Sequence, residues 1–530
     1  MNIEKFCEFD YIRKKFLPLT PYGKIYKENI KLINDKKTLE YKYDAIDIFL
    51  RLRKDKRFDY DKIRYHLKNV PYINHEKKVC DAVDIFLYKK FINNYYAIYS
   101  ILNKKEKEFF LLKWELDELY KLLNIDGFSD TFYISDKYDK RLDMIRREIS
   151  DIISDMERKK KDFLSIIKDK FSLPIEGDFI IIESSKVKPE FNEYFNIEIY
   201  DGTRVLMKPR LPQDYIELFQ KKEKKIAEEK KIENEVISSI SQIIEKVREK
   251  ISEYIDAICK IDIAISSAEL AADLNLKRPK FSSTGVYIRG GEYLPVKEEL
   301  EKLKINYTPL SFSFNKRLNI IQGSNMGGKT VALKTIIFLQ IMAQYGFFVP
   351  AKEFHFIIFD DIQTIMVSDE IKGLSSFAYE IYEYVKFMEN CKGHKSLLIM
   401  DEFAKTTNVM EATALLNSII EDLSERNNIY LFFATHFSDI SYFKNIDFLR
   451  MKGFNKIKYL KYFQEKKDLG ITDKIKIINR FMDYEIIRVK DSKIKGSDAI
   501  DIAHILGVDI KICENAMKFM EEEYEKTKKT

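Results

Sequence analysis

Residues 318–330 read LNIIQGSNMGGKT, an apolar run followed by a glycine-rich turn, a lysine and a threonine. This order predicts a buried strand that ends in a phosphate cradle and opens into a helix. Each residue type has a physical task. Gly323, Gly327 and Gly328 let the backbone turn tightly enough for successive N–H groups to face phosphate oxygens, and the helix that follows adds the positive end of its dipole. Lys329 supplies a point charge for the β- and γ-phosphates, and Thr330 the hydroxyl that binds Mg²⁺. The competing reading, a glycine-rich turn into an ordinary helix, accounts for the glycines alone. The chain is therefore expected to bind a nucleoside triphosphate.

A cradle does not separate a kinase from a motor, so the downstream residues must decide. Ser396 to Met400 is a short apolar run that ends in Asp401-Glu402, as expected of a buried parallel strand delivering two carboxylates to its C-terminal end. Asp401 would hold Mg²⁺ through water, and Glu402 would polarise the attacking water. A second apolar run, Ile429 to Ala434, ends in Thr435-His436. Alone, His436 reads as a loop histidine; in register with a cradle and an acidic pair, it reads as a sensor of the γ-phosphate.

The 530 residues leave room for three or four domains. Lys and Arg number 91 against 85 Asp and Glu, a net charge of +6, too even to argue for nucleic acid by itself. Cys7, Cys80, Cys259, Cys391 and Cys513 have neither metal-like spacing nor a disulfide framework, which fits a reducing cytoplasm. The N-terminus lacks an apolar signal region, and the longest apolar stretch, Ile336 to Ala351, contains Gln340, Gln344 and Pro350. It reads as a buried helix behind the cradle rather than a membrane span, so no membrane partner is expected.

Residues 1 to about 172 read as helices, with an aromatic-rich stripe around Trp114 at helical spacing. Phe179 to Glu183 and Ile197 to Met207 read as short strands. From Pro212 to about Asp273 a helical pattern runs without internal Gly or Pro, and its first half, Lys221 to Lys231, is almost all charge. Such a run is better read as the solvated face of a projecting coiled coil than as a nucleic-acid contact, because Glu223, Glu228 and Glu229 interleave with the lysines.

The order of segments resembles the MutS ATPases, an ABC-class family. Its cradle reads Gly-Pro-Asn-Met-Gly-Gly-Lys followed by a hydroxyl residue, and Asn325-Met326-Gly327-Gly328-Lys329-Thr330 match it; Asn325-Met326 is the discriminating pair. Ser375-Ser376-Phe377 looks like the family's Ser-Thr-Phe, which implies that Ser375 reaches the γ-phosphate held by the opposite subunit. Thr407-Asn408 with Glu411 fits the loop beyond the acidic pair, and Gly496-Ser497-Asp498 through Leu506-Gly507-Val508 resembles the closing dimerisation segment. Ala268 to Pro279, with Phe9 to Ile12 and Gly23, resembles the family's lever. Two departures stand out. Ser324 replaces the usual proline of the cradle, and Ala404-Lys405-Thr406 replaces a Gly-Arg-Gly stretch, removing backbone freedom and a forked donor.

The resemblance implies an α/β P-loop ATPase domain of ABC/MutS type preceded by a mostly α-helical lever and clamp domain with a long coiled-coil arm. The expected boundaries are 1–284 for lever and clamp, with arms near 95–172 and 212–273, then 285–490 for the ATPase and 491–530 for a dimerisation segment. Because lever-like sequence begins at the first residues, the mismatch-reading and connector domains are expected to be missing. The implied cofactors are ATP, held by residues 323–330, and Mg²⁺ on Thr330 and Asp401; Glu402, His436 and Ser375 carry catalysis. The implied assembly is a homodimer or a heterodimer with a related chain. Two partners stay open: DNA, clamped without mismatch reading, with Lys186, Lys188 and Lys208 in the tip region, or an adenosylcobalamin-dependent lysine or ornithine aminomutase reactivated by a short MutS-like protein. A nucleotide-binding scaffold with negligible turnover is a third possibility. Tyr307 and Phe312 are candidates, by position, for stacking on adenine.

Overall fold

In the computed structural model, the three apolar runs of the sequence become neighbouring parallel strands. The structure describes residues 3–74, 77–126, 133–175, 177–323, 327–366, 376–405, 407–437, 440–441, 443, 445–456, 459, 481–489 and 498–529. The chain divides into two compact units: Met1–Tyr60 with Cys259–Thr530, and Asp61–Ile258.

In the first unit, a six-stranded sheet among the described residues has the order Met482–Val489, Ile446–Phe454, Leu318–Gln322, Ile429–Thr435, Ser396–Asp401, Asp361–Met366. All its neighbours are parallel except the outermost pair, Ile446–Phe454 with Met482–Val489. Every residue of Leu318–Gln322 and Ser396–Asp401 is buried. That explains why these strands read as unbroken apolar runs rather than alternating ones: helices and a second sheet cover them on both faces.

The helix Lys329–Gln344 explains itself the same way. It packs against strands of this sheet and of a four-stranded sheet built from Lys280–Phe281, Glu353–Phe356, Val286–Gly291 and Leu310–Phe314. Every residue from Thr335 to Gln344 is buried, so the helix has no polar face to show in its sequence. Its two buried glutamines bond to each other and to backbone. Gln340 donates to the Ile357 carbonyl at 2.8 Å, and Gln344 donates to the Phe359 carbonyl at 2.8 Å and accepts from the Phe359 N–H at 3.1 Å. Among the described residues no helix is long and apolar enough to cross a membrane.

The N-terminal residues join this unit through a buried acid. Asp262, fully buried, accepts hydrogen bonds from the Leu19 N–H, the Thr20 N–H and the Thr20 hydroxyl at 2.9, 2.8 and 2.6 Å. Burial raises its pKa, opposed by these bonds. Thr20 in turn caps the helix Pro21–Glu28 by accepting from the Gly23 N–H.

In the second unit, Lys140–Phe171 and Gln213–Lys246 run antiparallel. Arg141 pairs with Glu235, Arg146 with Glu229 and Glu233, Glu148 with Lys225 and Lys159 with Asp214, so partners descend on one helix as they ascend on the other. Between them in sequence lies a three-stranded antiparallel sheet, Ile180–Glu183, Arg204–Pro209, Phe195–Ile199 in spatial order. Where the sequence reads one strand from Ile197 to Met207, a hairpin turn interrupts it. The Asp201 carboxylate accepts from the Thr203 and Arg204 N–H groups and reverses the chain. The second long helical pattern is broken once, at Val247, which separates Gln213–Lys246 from Arg248–Asp273.

A Cβ on Gly23 would sit 2.1 Å from Asp262 Oδ2 and 2.7 Å from the Pro18 Cβ. Gly23→Ala is expected to lower stability by about 1–3 kcal/mol, read as an earlier urea midpoint with an unchanged slope.

Candidate functional site

Strand register assembles the site. Gln322 lies opposite Thr435, and Ala434 opposite Asp401, so the C-terminal ends of three adjacent strands deliver Gly323, Asp401-Glu402 and His436 to one edge of the sheet. In open parallel sheets, ligands bind at this edge. Ser324, Asn325, Met326 and Ser375 lie outside the described residues, as do Thr406, Gly496 and Ser497. The structure brings together the others: Gly323, Gly327, Gly328, Lys329, Thr330, Asp401, Glu402 and His436.

Gly328 caps the helix Lys329–Gln344 with φ +83°, a left-handed conformation costly for any residue with a Cβ. Lys329 follows at the first helical position and is 3% exposed. Its Nζ donates to the Gly323 carbonyl at 2.7 Å and stands 4.0 Å from Glu402 Oε1. Burial lowers its pKa, while Glu402 and Asp401 oppose the shift.

Asp401 is 8% exposed, and burial raises its pKa against a lowering hydrogen bond from the Thr330 side chain. Its Oδ1 is buried and has no hydrogen-bond partner among the described residues. A buried orphan acceptor beside a threonine hydroxyl fits Mg²⁺, which takes one or two protein oxygens and completes its shell with phosphate and water. Among the described residues no three His, Cys, Asp or Glu side chains converge as a self-sufficient metal cage, so such an ion would depend on the nucleotide for its remaining ligands.

Glu402 adopts φ +52°, and its N–H donates to the Ala434 carbonyl at 2.9 Å. Burial raises the pKa of its carboxyl, but a 2.8 Å hydrogen bond from Lys405, with the charges of Lys405 and Lys329, holds it below the usual range. His436 is exposed, with its ring against Phe437 at 4.5 Å; the protein around it still desolvates the imidazole and lowers its pKa, with Glu402 opposing. At neutral pH the ring is thus a neutral donor or acceptor rather than a cation. Ala404, where the resemblance calls for glycine, takes φ +61°. The loop keeps the glycine-like turn and strains an alanine to do so.

Residues 319–522 match the family model of MutS domain V. DNA mismatch repair proteins MutS from Clostridium tetani and Clostridium novyi are 29% and 27% identical over 395 and 412 residues, covering 69% and 72% of this chain and 44% of each relative. A third, from Natronomonas pharaonis, is 27% identical over 314 residues, 58% of this chain and 36% of its own length. These matches support a MutS-family protein, at low identity. The chain spans less than half the length of these curated MutS relatives.

Sequence reasoning found only part of the wall on the other side of Gly328: Tyr307, but not Tyr484. A cavity of about 180 Å³ opens beside Gly328, lined by Leu300, Tyr307, Val331, Met451 and Tyr484 among others. Tyr307 lines it, with its hydroxyl accepting from the Tyr293 N–H at 2.8 Å. Phe312 does not; its ring packs on Phe314 at 4.8 Å and under the Arg488 guanidinium at 5.3 Å. Tyr484 comes from the antiparallel strand Met482–Val489, remote in sequence, so no local signal marks it.

A Cβ on Gly328 would meet the Tyr484 ring at 2.8 Å. Gly328→Ala therefore combines a backbone cost of about 1–2 kcal/mol with a steric one. In a double-mutant cycle with Tyr484→Ala, urea unfolding is expected to return the steric part and leave the backbone part.

Proposed function

We propose that this protein is an ATP hydrolase of the MutS type, working as a dimeric conformational switch. The observation carrying this reading is the convergence of Lys329, Thr330, Asp401, Glu402 and His436 on the C-terminal edge of one parallel sheet. The triphosphate lies along the N-terminus of the helix Lys329–Gln344, where the dipole and the cradle amides favour anions. On binding, Lys329 exchanges the Gly323 carbonyl for phosphate oxygens. The base enters the cavity beside Gly328, against Tyr307 or Tyr484. Thr330 and Asp401 would hold Mg²⁺, which neutralises charge developing on the phosphates.

Hydrolysis is an in-line displacement: water attacks the γ-phosphorus, the bond to the ADP oxygen breaks, and the water's proton leaves toward Glu402. Held below its usual pKa, the Glu402 carboxylate is ionised and ready to accept that proton. Neutral His436 can donate to a γ-phosphate oxygen. Ser375 of a second subunit completes the site in trans. Support for pairing comes from the C-terminal helix Ile510–Lys529, which buries Cys513 yet exposes Ile512, Phe519 and Met520, an apolar face suited to a second copy. Closing and opening of the paired ATPase domains then drives the helical unit that includes Lys140–Phe171 and Gln213–Lys246.

The proposed target is DNA, as the MutS relatives' names suggest. A second reading, a protein target such as an adenosylcobalamin-dependent aminomutase, has its own support. Of the tip lysines, Lys186 pairs with Glu183 at 3.2 Å and Lys208 with Glu198 at 2.9 Å, while Ile199 on the hairpin is 87% exposed. Lysines already neutralised by carboxylates release fewer counterions from DNA.

Lys329→Ala is expected to weaken binding of a fluorescent ATP analogue at least about tenfold, some 1.4 kcal/mol. Glu402→Gln should keep that affinity and lose on the order of 10²-fold or more in phosphate release; a parental rate would remove Glu402 from its role. In sedimentation, Glu402→Gln with ATP and Mg²⁺ is expected to run as a dimer, and a strictly monomeric result would sink the two-subunit site. Retention of duplex, junction or single-stranded DNA should fall steeply between low and physiological salt. No retention at low salt rejects the DNA target.

A further inference from the structure

The helix Ser376–Asn390 turns an apolar stripe toward the sheet, with Phe387 buried in the core and Phe377, Ile381, Tyr384 and Met388 half-buried against it. Glu380 falls on that stripe, one turn after Phe377 and two before Phe387, where helical spacing calls for an apolar side chain. It is fully buried. Its Oε2 accepts the Ala404 N–H at 2.7 Å, and its Oε1 has no hydrogen-bond partner among the described residues. A half-satisfied carboxyl in an apolar core costs stability. When a chain breaks a local rule this way, the gain is often found at the functional site.

The group it holds is two residues beyond Glu402. Phe403 and Ala404 are fully buried, and the non-glycine residues on either side of Phe403, Glu402 and Ala404, both occupy the left-handed region. Such a turn does not persist without outside constraint. One constraint is the bond from the Glu402 N–H to the Ala434 carbonyl. The other is Glu380. Loss of the second would leave the backbone after Glu402 free to relax, carrying the carboxylate away from Lys329.

We propose that Glu380 is a positioning residue for hydrolysis, fixing the turn at Phe403-Ala404 so that the Glu402 carboxylate faces the phosphate site. It touches neither nucleotide nor water; it acts through the Ala404 amide. This rests on the assignment of Glu402 as the residue that activates water. What matters is the acceptor oxygen rather than the charge, because the contact is to a neutral N–H.

The test uses the full chain with Glu380→Met, which fills the space without an acceptor, and Glu380→Gln, whose side-chain oxygen can still accept. Glu380→Met is expected to lower kcat at least tenfold with affinity for a fluorescent ATP analogue unchanged within twofold, and to speed hydrogen exchange at the Ala404 amide at least tenfold. Glu380→Gln is expected to restore both. Parental kcat and parental exchange in Glu380→Met would overturn the proposal, as would Glu380→Gln impaired as severely as Glu380→Met. Should Glu380→Met not fold, Glu380→Asp, which retracts the oxygen, takes its place with the same expectations. If Glu402→Gln retains turnover, the role of Glu402 fails, whereas the exchange rate at Ala404 still reports the Glu380 contact by itself.

Discussion

The register of three parallel strands governs the rest of the molecule's chemistry. Because Gln322 faces Thr435 and Ala434 faces Asp401, the chain leaves the sheet at the same level three times. The residues that emerge are a glycine, two carboxylates and an imidazole. A slip of one residue would turn Asp401 to the opposite face. Slippage is opposed by burial on both faces, since each strand residue would exchange one packed environment for another of different shape. Packing thus fixes the chemistry, and the cradle helix joins in because it is buried between two sheets and cannot slide along either.

Burial then sets the electrostatics. Lys329, Asp401 and Glu402 are charged groups taken largely out of water, and each is tolerated through the others: the Lys329 amine near Glu402, the Thr330 side chain on Asp401, Lys405 on Glu402. Breaking one member would leave the rest buried and uncompensated, which costs more than the pair contributes. Lys405 occupies a place where the MutS resemblance expects a forked arginine. In this structure it turns to its own Glu402, so the charge that the resemblance would direct between sites is used within one.

Much of this was legible in the sequence because the relevant signals are local. Unbroken apolar runs ending in glycine, acid pair and histidine gave the strands and their exits, and the helix after the cradle followed from Lys329-Thr330 onward. The hairpin at residues 200–203 was not separated from its flanking strands, because Tyr200-Asp201-Gly202-Thr203 interrupts the apolar pattern only briefly and the turn depends on one aspartate side chain. Tyr484, Glu380 and Asp262 were illegible for a common reason. Each acts on a segment far away in sequence: Tyr484 on Gly328, Glu380 on Ala404, Asp262 on Leu19 and Thr20. Only the folded topology states such relations. Glu380 did leave a trace, a charge on an apolar stripe, but nothing in the sequence names its partner.

The long helices pose a different problem of inference, because their composition alone fits two opposed roles. A lysine-rich helix can present cations to a phosphate backbone or spend them on its own partner helix. Here Arg146 engages Asp136, Glu229 and Glu233, while Lys225 engages Glu148 and Glu228. Arg146 and its two glutamates on the facing helix are partly buried, whereas the outer pairs are exposed and individually weak. Their collective effect is geometric: cations held in register along the seam between two helices hold that seam together and are poorly arranged to follow a duplex groove. The same charges that weaken the argument for a nucleic-acid surface thus serve the contact between the two helices.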